Sequence, residues 1–353
     1  MYEACPMRNG SPDAARAVRR WLWLLWALVL AMVLLGGITR LTGSGLSITE
    51  WAPLMGAIPP TSDAEWQQVF ARYRASPQFQ LVNHWMQLDD FKRIFFWEYV
   101  HRLVGRLIGL VFLGPWLWFL ARRMLPPALV RKTLLALVLG GSQGLLGWLM
   151  VKSGLVNAPR VSHVLLAAHL SLAFGTGQWL LWLALDLGAP ATARPPAPRT
   201  QRSAAWAFVA LVAVQCVYGA FMAGTQAGLL YATFPDMNGR FAPGPFFYDS
   251  VWRELWAGPM AIHWMHRTLA WLVLFCAFAL AAWMRQVHGR GPVGRAAVAL
   301  GVLAFVQLNL GALTVVMRVA TPIAVAHQAM AYLLLSVAIM LCHRLRGVPS
   351  VAS

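Results

Sequence analysis

Four histidines, His101, His169, His266 and His327, stand at matching positions within apolar segments of this chain. Each half of the chain carries one of them in its second hydrophobic segment and another in its fourth. Imidazole is a common axial ligand of haem iron, and the core of a helix bundle is a common place for such a cofactor. Two histidines in each half therefore predict two haem sites.

One carboxylate distinguishes the two halves. Glu98 precedes His101 by three residues, whereas the equivalent position in the second half is His263. Residues three apart share a helix face, so we expect Glu98 to face the same cavity as His101 and to act there as an acid, a base or a cation-stabilising group. The alternative is an ion pair with Arg102 or Arg106 at the mouth of the helix.

An arginine directly follows one histidine of each half, as Arg102 and Arg267. We expect each guanidinium to pair with a haem propionate, because guanidinium and carboxylate groups match geometrically. The alternative is that each side chain extends to the membrane interface and binds no cofactor.

The elements that carry these residues repeat along the chain. Residues 35–56 align without a gap with residues 218–239, and matched segments follow in the same order around His101 and His266 and around His169 and His327. An early duplication is the simplest account. Repeats in membrane folds usually place sites at the repeat interface or inside each bundle.

Composition indicates that these elements are membrane spans. Hydrophobic residues make up 59% of the 353-residue chain and charged residues 12%, which is too apolar for a soluble protein of this size. We predict an all-α polytopic membrane protein whose eight transmembrane helices form two tandem, pseudo-symmetric four-helix bundles. The predicted spans cover about residues 21–38, 95–120, 133–151, 162–185, 204–223, 260–284, 296–317 and 321–342.

The domain boundaries follow from these spans and from a Pro-rich, basic stretch between the halves. We assign no chemistry to that stretch, which we interpret as a cytoplasmic linker. The predicted divisions are a tail at 1–20, a first bundle at 21–186, the linker at 187–203, a second bundle at 204–342 and a tail at 343–353.

Basic residues gather on the side that holds both termini, so we predict cytoplasmic termini and read the net charge of +17 as a report of topology. They are scattered over short loops and form no single face, which argues against nucleic-acid binding. The long loops at about 40–93 and 224–258 then lie outside. The four histidines fall about six to eight residues into their helices, in one layer roughly 10 Å below the outer surface.

The alternative for any one intramembrane histidine is a hydrogen bond to a neighbouring helix. Four histidines at matched positions and depth favour iron ligation instead. The other histidines lack this pattern: we interpret His288 and His343 as cytoplasmic loop residues and His84 as an outer-loop residue, and we assign no role to His163 or His263.

Several motifs resemble those of the heme A synthase family, in the form found in mitochondria and many proteobacteria. They are GGITRLTGSGLSITEW in the first outer loop, WEYVHRLVGR opening the second helix, QGLLGWLMVKSGL in the third, LAAHL in the fourth, HR at 266 and 267, and AHQ in the eighth. The motifs cover both halves in the correct order. The resemblance implies eight helices, a resident haem b in the second half and a substrate, haem o, in the first.

The resemblance also implies residue roles. His266 and His327 would ligate the haem b iron, and His101 and His169 would hold or approach the haem o iron. Glu98 matches the essential glutamate of the family. The reaction oxidises one methyl group of haem o to a formyl group, which gives haem a for terminal oxidases.

Further expectations follow from this resemblance. We expect a bacterial inner-membrane location, haem sites near the periplasmic side, haem o synthase and oxidase assembly factors as partners, and a homo-oligomer as one possible state. Some family members carry two cysteines in the first outer loop, where this chain has none, so it matches the cysteine-free group and a thiol relay is in doubt.

Two other functions fit parts of the pattern. A di-haem cytochrome b that only transfers electrons explains the four histidines but not a carboxylate in one half alone. A transporter built from repeats is weaker, because its ionisable residues would be expected near the midplane and not near one surface.

Overall fold

The computed structural model describes residues 12–50, 56, 58–156, 159–189, 195–244 and 250–347. Eight helices in this part of the chain are long and apolar enough to cross a membrane, which confirms the predicted fold class. The helices are α1 Pro12–Leu41, α2 Asp63–Arg74, α3 Leu88–Ala121, α4 Pro127–Val156, α5 His163–Asp186, α6 Arg199–Thr225, α7 Val251–Ala257, α8 Pro259–His288, α9 Pro292–Val316 and α10 Thr321–Leu345. The short helices α2 and α7 lie in the two long loops.

Most helices extend beyond the predicted spans. α1 begins at Pro12 and α6 at Arg199, before the predicted spans that start at about residues 21 and 204, whereas the predicted domain boundaries stay predictions. α3 begins at Leu88 and not near residue 95, which places His101 further from the start of its helix than predicted. An apolar run marks only the part of a helix that lies within hydrocarbon, whereas polar end turns continue the helix outside it.

The repeat is visible in the local structure. A 3₁₀ turn at Ser44–Leu46 follows α1, and another at Ala227–Leu229 follows α6, at positions that the ungapped alignment equates. Arg40 Nη1 donates a hydrogen bond of 3.2 Å to the carbonyl oxygen of Ala223, which is its own repeat equivalent. A contact between equivalent residues marks the pseudo-two-fold axis, which parallel repeats place along the membrane normal.

The two four-helix bundles, α1 with α3 to α5 and α6 with α8 to α10, share one core at their interface. Val33 and Phe174 of the first bundle belong to the same buried cluster as Tyr332 of the second. Gln328 Nε2 donates to the Val33 carbonyl oxygen at 2.9 Å, and the Tyr332 hydroxyl donates to a carbonyl of α1 at 3.3 Å. The bundles are therefore held together by polar bonds as well as by apolar packing.

Helix ends meet at the face that holds the start of α1 and the end of α10, here called the terminal face. His343 is buried in the last turn of α10, and its Nε2 lies 3.0 Å from Asp186 Oδ1 at the end of α5. His288 ends α8, with Nε2 2.8 Å from Gln201 Oε1 on α6. The interpretation of His288 and His343 as loop residues is wrong, because both lie within helices and join neighbouring ones.

The first long loop forms a small folded cap on the opposite face, here called the loop face. Ser62 and Glu65 form a capping box that begins α2. Tyr73 and Phe70 of α2 pack against Phe91 in the extra turns of α3. Burial raises the pKa of Tyr73. The cap therefore has its own core and rests on the first turns of α3. His84 is an exposed residue of this cap, and its location outside the membrane stays a prediction.

Candidate functional site

The histidines of the second bundle face each other. The ring centroids of His266 and His327 lie 6.4 Å apart, with the ring planes at 87°. An imidazole nitrogen binds a transition metal at about 2 Å, so two imidazoles on opposite sides of one metal ion have centroids roughly 6 Å apart. The Nδ1 atoms of both rings are buried and make no hydrogen bond to the described residues. The pair therefore fits one haem iron.

His101 and His169 form the equivalent pair in the first bundle. They lie close enough for their charges to interact, and His169 Nδ1 is also buried without a hydrogen-bond partner in the described part of the chain. No group of three or more His, Cys, Asp or Glu side chains within the described ranges could hold a metal ion. Paired axial ligation of a haem iron fits these residues better than a metal site built from protein ligands alone.

Each of the four histidine rings packs against a glycine on a neighbouring helix. A Cβ atom added to each glycine would approach the ring, at 3.4 Å for Gly36 and His101, 3.3 Å for Gly147 and His169, 3.2 Å for Gly219 and His266, and 2.9 Å for Gly311 and His327. Larger side chains would displace the imidazoles. The repeated arrangement indicates two equivalent sites and not four unrelated histidines.

Two glutamines fix the helices at the level of these histidines. Gln143 Nε2 donates to the carbonyl oxygen of His169 at 3.1 Å, and Gln215 Nε2 donates to that of His266 at 3.0 Å. We predicted no role for either residue from the sequence. Gln143 is the first residue of the QGLLGWLMVKSGL motif in the third predicted helix, and this position could have marked it as part of the site.

Glu98 is buried, with 2% of its surface exposed, and both carboxylate oxygens are bonded. Oε1 accepts hydrogen bonds from Arg102 Nε at 3.0 Å and from Arg102 Nη2 at 2.6 Å. Oε2 accepts from the Ser47 hydroxyl at 2.7 Å and from the Ile48 backbone N–H at 2.8 Å. The ion pair between Glu98 and Arg102 is therefore present, and it lies within α3. The bonds from Ser47 and Ile48 join Glu98 to the loop that follows α1, one helical turn from His101.

Arg102 also binds the outer loop through backbone carbonyls. Nη2 donates to the Ile48 oxygen at 2.8 Å and Nη1 to the Glu50 oxygen at 3.0 Å. Most of the five guanidinium N–H groups are thus used by the protein itself. A contact from Arg102 to a haem propionate stays a prediction.

Arg267 repeats this arrangement in the second bundle with a different partner on its own helix. Its Nε donates to His263 Nε2 at 2.9 Å, and its Nη atoms donate to the backbone oxygens of Tyr231, at 3.2 Å, and of Asp236, at 2.5 Å. His263 is fully buried. Glu98 and His263, which the alignment equates, therefore serve equivalent arginines. Because Arg267 is itself 8% exposed, it does not extend freely to the interface.

The loop that Arg267 holds has a local hydrogen-bond network of its own. The carboxylate of Asp236 accepts from the Thr233 hydroxyl at 2.6 Å and from the Gly239 N–H at 3.3 Å. These bonds, with the nearby Arg267 charge, hold the pKa of Asp236 below its usual range. Residues 231–239 are thus ordered around one buried arginine.

His163 joins the two halves at the loop face. Its Nε2 lies 2.9 Å from the carbonyl oxygen of Trp256, and its ring stacks on the Trp256 side chain with centroids 6.0 Å apart. His163 begins α5 and Trp256 belongs to α7, so this contact crosses between the bundles. This role could not be predicted from the sequence, because the two residues are far apart in the chain.

A cavity of about 230 Å³ lies beside Arg102, between the outer loop and α4. Lys152 lines it, with Nζ 5.2 Å from the centre of the Trp148 ring. The cavity is lined by Ile48, Thr49, Glu50, Arg102, Trp148, Val151, Lys152 and Leu155. Lys152 was not among the predicted site residues, although it lies within the third-helix motif.

Fold and site together define an eight-helix membrane protein with a histidine pair suited to haem iron in each of two homologous bundles. Residues 19–339 match the family model COX15-CtaA, described as cytochrome oxidase assembly protein. This chain belongs to that family.

Curated relatives match nearly the whole chain. The protein named heme A synthase in Rhodospirillum centenum is 42% identical over 97% of this chain and 91% of its own length. The one in Parvibaculum lavamentivorans is 43% identical over 93% of this chain and 94% of its own length. The one in Paracoccus denitrificans is 40% identical over 96% of this chain and 90% of its own length.

Proposed function

We propose that this protein is a heme A synthase, an enzyme of heme A biosynthesis that oxidises one methyl group of haem o to a formyl group. The observation that carries this proposal is a difference between two otherwise equivalent bundles: among the described residues, the first bundle has a buried carboxylate, Glu98, one helical turn before its histidine, where the second bundle has His263. The name of the relatives supports the same function. A cytochrome that only transfers electrons is not favoured.

In this proposal, the second bundle holds haem b. His266 and His327 would hold its iron, and Gly219 and Gly311 allow the neighbouring helices to approach these rings. Haem b supplies one-electron transfer when bound. Gln215 fixes the backbone at His266, so the ligand keeps its orientation.

The first bundle holds the substrate haem o between α3 and α5, with its iron at His101 and His169. Arg102, Ser47 and Ile48 hold the Glu98 carboxylate in a fixed position. A fixed negative charge stabilises positive charge that develops on the substrate methyl carbon during oxidation, and it orients the incoming water. The methyl group is oxidised with water to an alcohol and then, with a second water, to a hydrated aldehyde, which loses water to leave the formyl group. Each of the two oxidations releases two electrons and two protons, and the electrons would leave one at a time by way of haem b to an electron acceptor in the membrane.

The surroundings of the site complete the proposal. Both termini are cytoplasmic, the loop face is periplasmic in a bacterial inner membrane, and the partners are haem o synthase and oxidase assembly factors. Arg102 and Arg267 contribute cofactor contacts through the N–H groups that the outer loops leave free. A homo-oligomer is compatible with the large apolar surface.

The test is to express the full-length chain in cells that make haem o, purify it and identify the extracted haems by chromatography and pyridine haemochrome spectra. We expect haem b together with haem o or haem a. His101→Ala loses the second pigment and keeps haem b, whereas His266→Ala loses haem b. Two equivalents of haem b and no modified haem would instead establish an electron-transfer cytochrome.

Glu98→Gln tests the carboxylate itself. We expect the variant to keep haem b and to bind haem o, but to produce at least about tenfold less haem a, because the neutral amide lacks the charge that stabilises the transition state. The matched control is Asp89→Asn on the same helix, whose carboxylate is 89% exposed. If Glu98→Gln makes as much haem a as this control, Glu98 has no part in the reaction.

A further inference from the structure

A second cavity, of about 460 Å³, opens on the terminal face between the start of α6 and the end of α10. It is far from the histidine pairs, which lie toward the loop face, and it has no part in the proposed reaction. Its walls are formed by Arg199, Arg202, Ser203, Trp206, Cys342 and Arg346. Three cations and one hydroxyl group line it, and none of the described residues that form its walls is acidic.

The arginines of this basic cavity are arranged to bind an anion. Arg199 and Arg202 are three residues apart near the start of α6, so they share one face of the helix. Arg346 approaches from the end of α10, where its Nη2 pairs with Asp186 at 2.5 Å and its guanidinium lies over Trp182. These contacts hold Arg346 in place.

Unused donors remain inside the basic cavity. The Nε atoms of Arg202 and Arg346 are buried and have no hydrogen-bond partner among the described residues. A buried donor without a partner is costly, and a charged one more so. An anion bound in the cavity would offset the concentration of positive charge.

The depth of the basic cavity corresponds to the lipid headgroups. It lies at the ends of two membrane-spanning helices, and Trp206, one helical turn from Arg202, is 47% exposed. The Trp206 ring packs on Trp182 of α5, with centroids 5.9 Å apart. Tryptophan is enriched at membrane interfaces, with its ring at headgroup level. Polar donors thus lie directly above an aromatic surface that faces lipid.

We propose that the basic cavity binds the headgroup phosphate of an anionic phospholipid. The arginines and the Ser203 hydroxyl bind the phosphate oxygens, and an acyl chain lies along Trp206. Basic pockets between transmembrane helices are known to bind such headgroups.

The test measures lipid binding by the full-length protein purified in detergent. The probes are dioleoyl phosphatidylglycerol and cardiolipin, with dioleoyl phosphatidylcholine and inorganic phosphate as comparison ligands, and the readouts are native mass spectrometry and the shift in Tm. We expect the anionic lipids to bind and to raise Tm, and the zwitterionic lipid and free phosphate to do neither. Stabilisation by inorganic phosphate equal to that by lipid would overturn the proposal.

Variants locate the binding site. We expect Arg199→Ala/Arg202→Ala to weaken anionic-lipid binding about tenfold or more. The control is Arg290→Ala/Arg295→Ala, which removes the same charge from two exposed positions near the α8–α9 turn. Equal weakening in both double variants would show general attraction to charge and would overturn the site.

Folding of each variant is checked by thermal unfolding in phosphatidylcholine vesicles. If the double variant does not fold, Arg202→Gln alone takes its place, since it removes the charge and keeps a polar, unbranched side chain. Retention of wild-type affinity in the folded variant would also overturn the site.

Discussion

At the residue scale, the two arginines next to the histidines show how one arrangement serves two purposes. Arg102 bonds to a carboxylate on its own helix and Arg267 to an imidazole at the equivalent position. Both then bind two backbone carbonyls of the adjoining loop. The structural role of the arginine is therefore common to both halves, whereas the charge of its helical partner is not. The arginine of the first bundle therefore has a carboxylate as its helical partner, whereas the arginine of the second bundle has a histidine.

A glycine next to a histidine ring tests the proposed haem b site. In Gly311→Ala, the new Cβ would lie 2.9 Å from His327 Cε1, so the imidazole must move away from its ligating position. We expect less haem b in the purified protein, measured by pyridine haemochrome per mole of protein. The control is Gly144→Ala, where a Cβ has nothing within 4 Å. Normal haem b content in Gly311→Ala would contradict this role of the glycine.

At the element scale, the loops that follow α1 and α6 are held by Arg102 and Arg267 and not by contacts between loop residues alone. The second loop is ordered where Arg267 reaches the carbonyls of Tyr231 and Asp236. A hydrogen bond to a charged donor contributes about 1.5–3 kcal/mol, more than a neutral one. The loops are thus coupled to the helix that carries the ligand histidine.

Arg267→Gln should loosen this loop. The shorter, neutral amide cannot reach both carbonyls and His263, so we expect backbone amides around residues 231–237 to exchange with deuterium about tenfold faster. Hydrogen exchange followed by mass spectrometry measures this, with the α9 peptides as an internal reference. Arg290→Gln at an exposed turn is the control and should leave the loop unchanged. Unchanged exchange in Arg267→Gln would refute the anchoring role.

The number and order of the membrane-spanning helices could be predicted from the sequence, because each apolar run is long enough to cross a bilayer. The sequence also equated residues 44–46 with 227–229, where the structure has matching 3₁₀ turns. The ends of the helices were predicted less well, since polar end turns carry no hydropathy signal. The folded cap was missed, although Ser62 and Glu65 have the spacing of a capping box.

The candidate site was only partly predictable for a different reason. Histidines and a carboxylate are recognisable by type, so His101, His169 and Glu98 could be named from sequence. The partners of Arg102 and Arg267 could not, because they are backbone carbonyls, which every residue has. Only a folded loop determines which carbonyls lie within reach of a given side chain.

At the scale of the whole molecule, the two bundles behave as one folded unit. Tyr332 packs into the first bundle, where a Cβ on Gly177 would lie 2.0 Å from its hydroxyl oxygen. The absence of a side chain at residue 177 is therefore a condition for the close approach of α5 and α10. The interface depends on a small residue, as membrane helix packing often does.

Gly177→Ala should weaken the packing of the bundles. We expect a loss of about 2 kcal/mol in stability, because overpacking a well-filled interface forces shifts in the surrounding structure. Thermal unfolding in detergent measures it, and Gly175→Ala on the same helix, with nothing within 4 Å, is the control. Adding Tyr332→Phe should recover part of the loss, since it removes the nearest atom. A variant as stable as Gly175→Ala would contradict the role of this contact.

The bond between Arg40 and Ala223 has a consequence for the origin of the molecule. On a two-fold axis, each residue meets its own copy, so a dimer of two identical halves would bring two arginines together and their like charges would repel. A single chain whose halves carry different residues at this point avoids that repulsion. The contact therefore requires two copies that differ at this position, as the two halves of a single chain can. The difference between Arg40 and Ala223 is thus part of what holds the halves together.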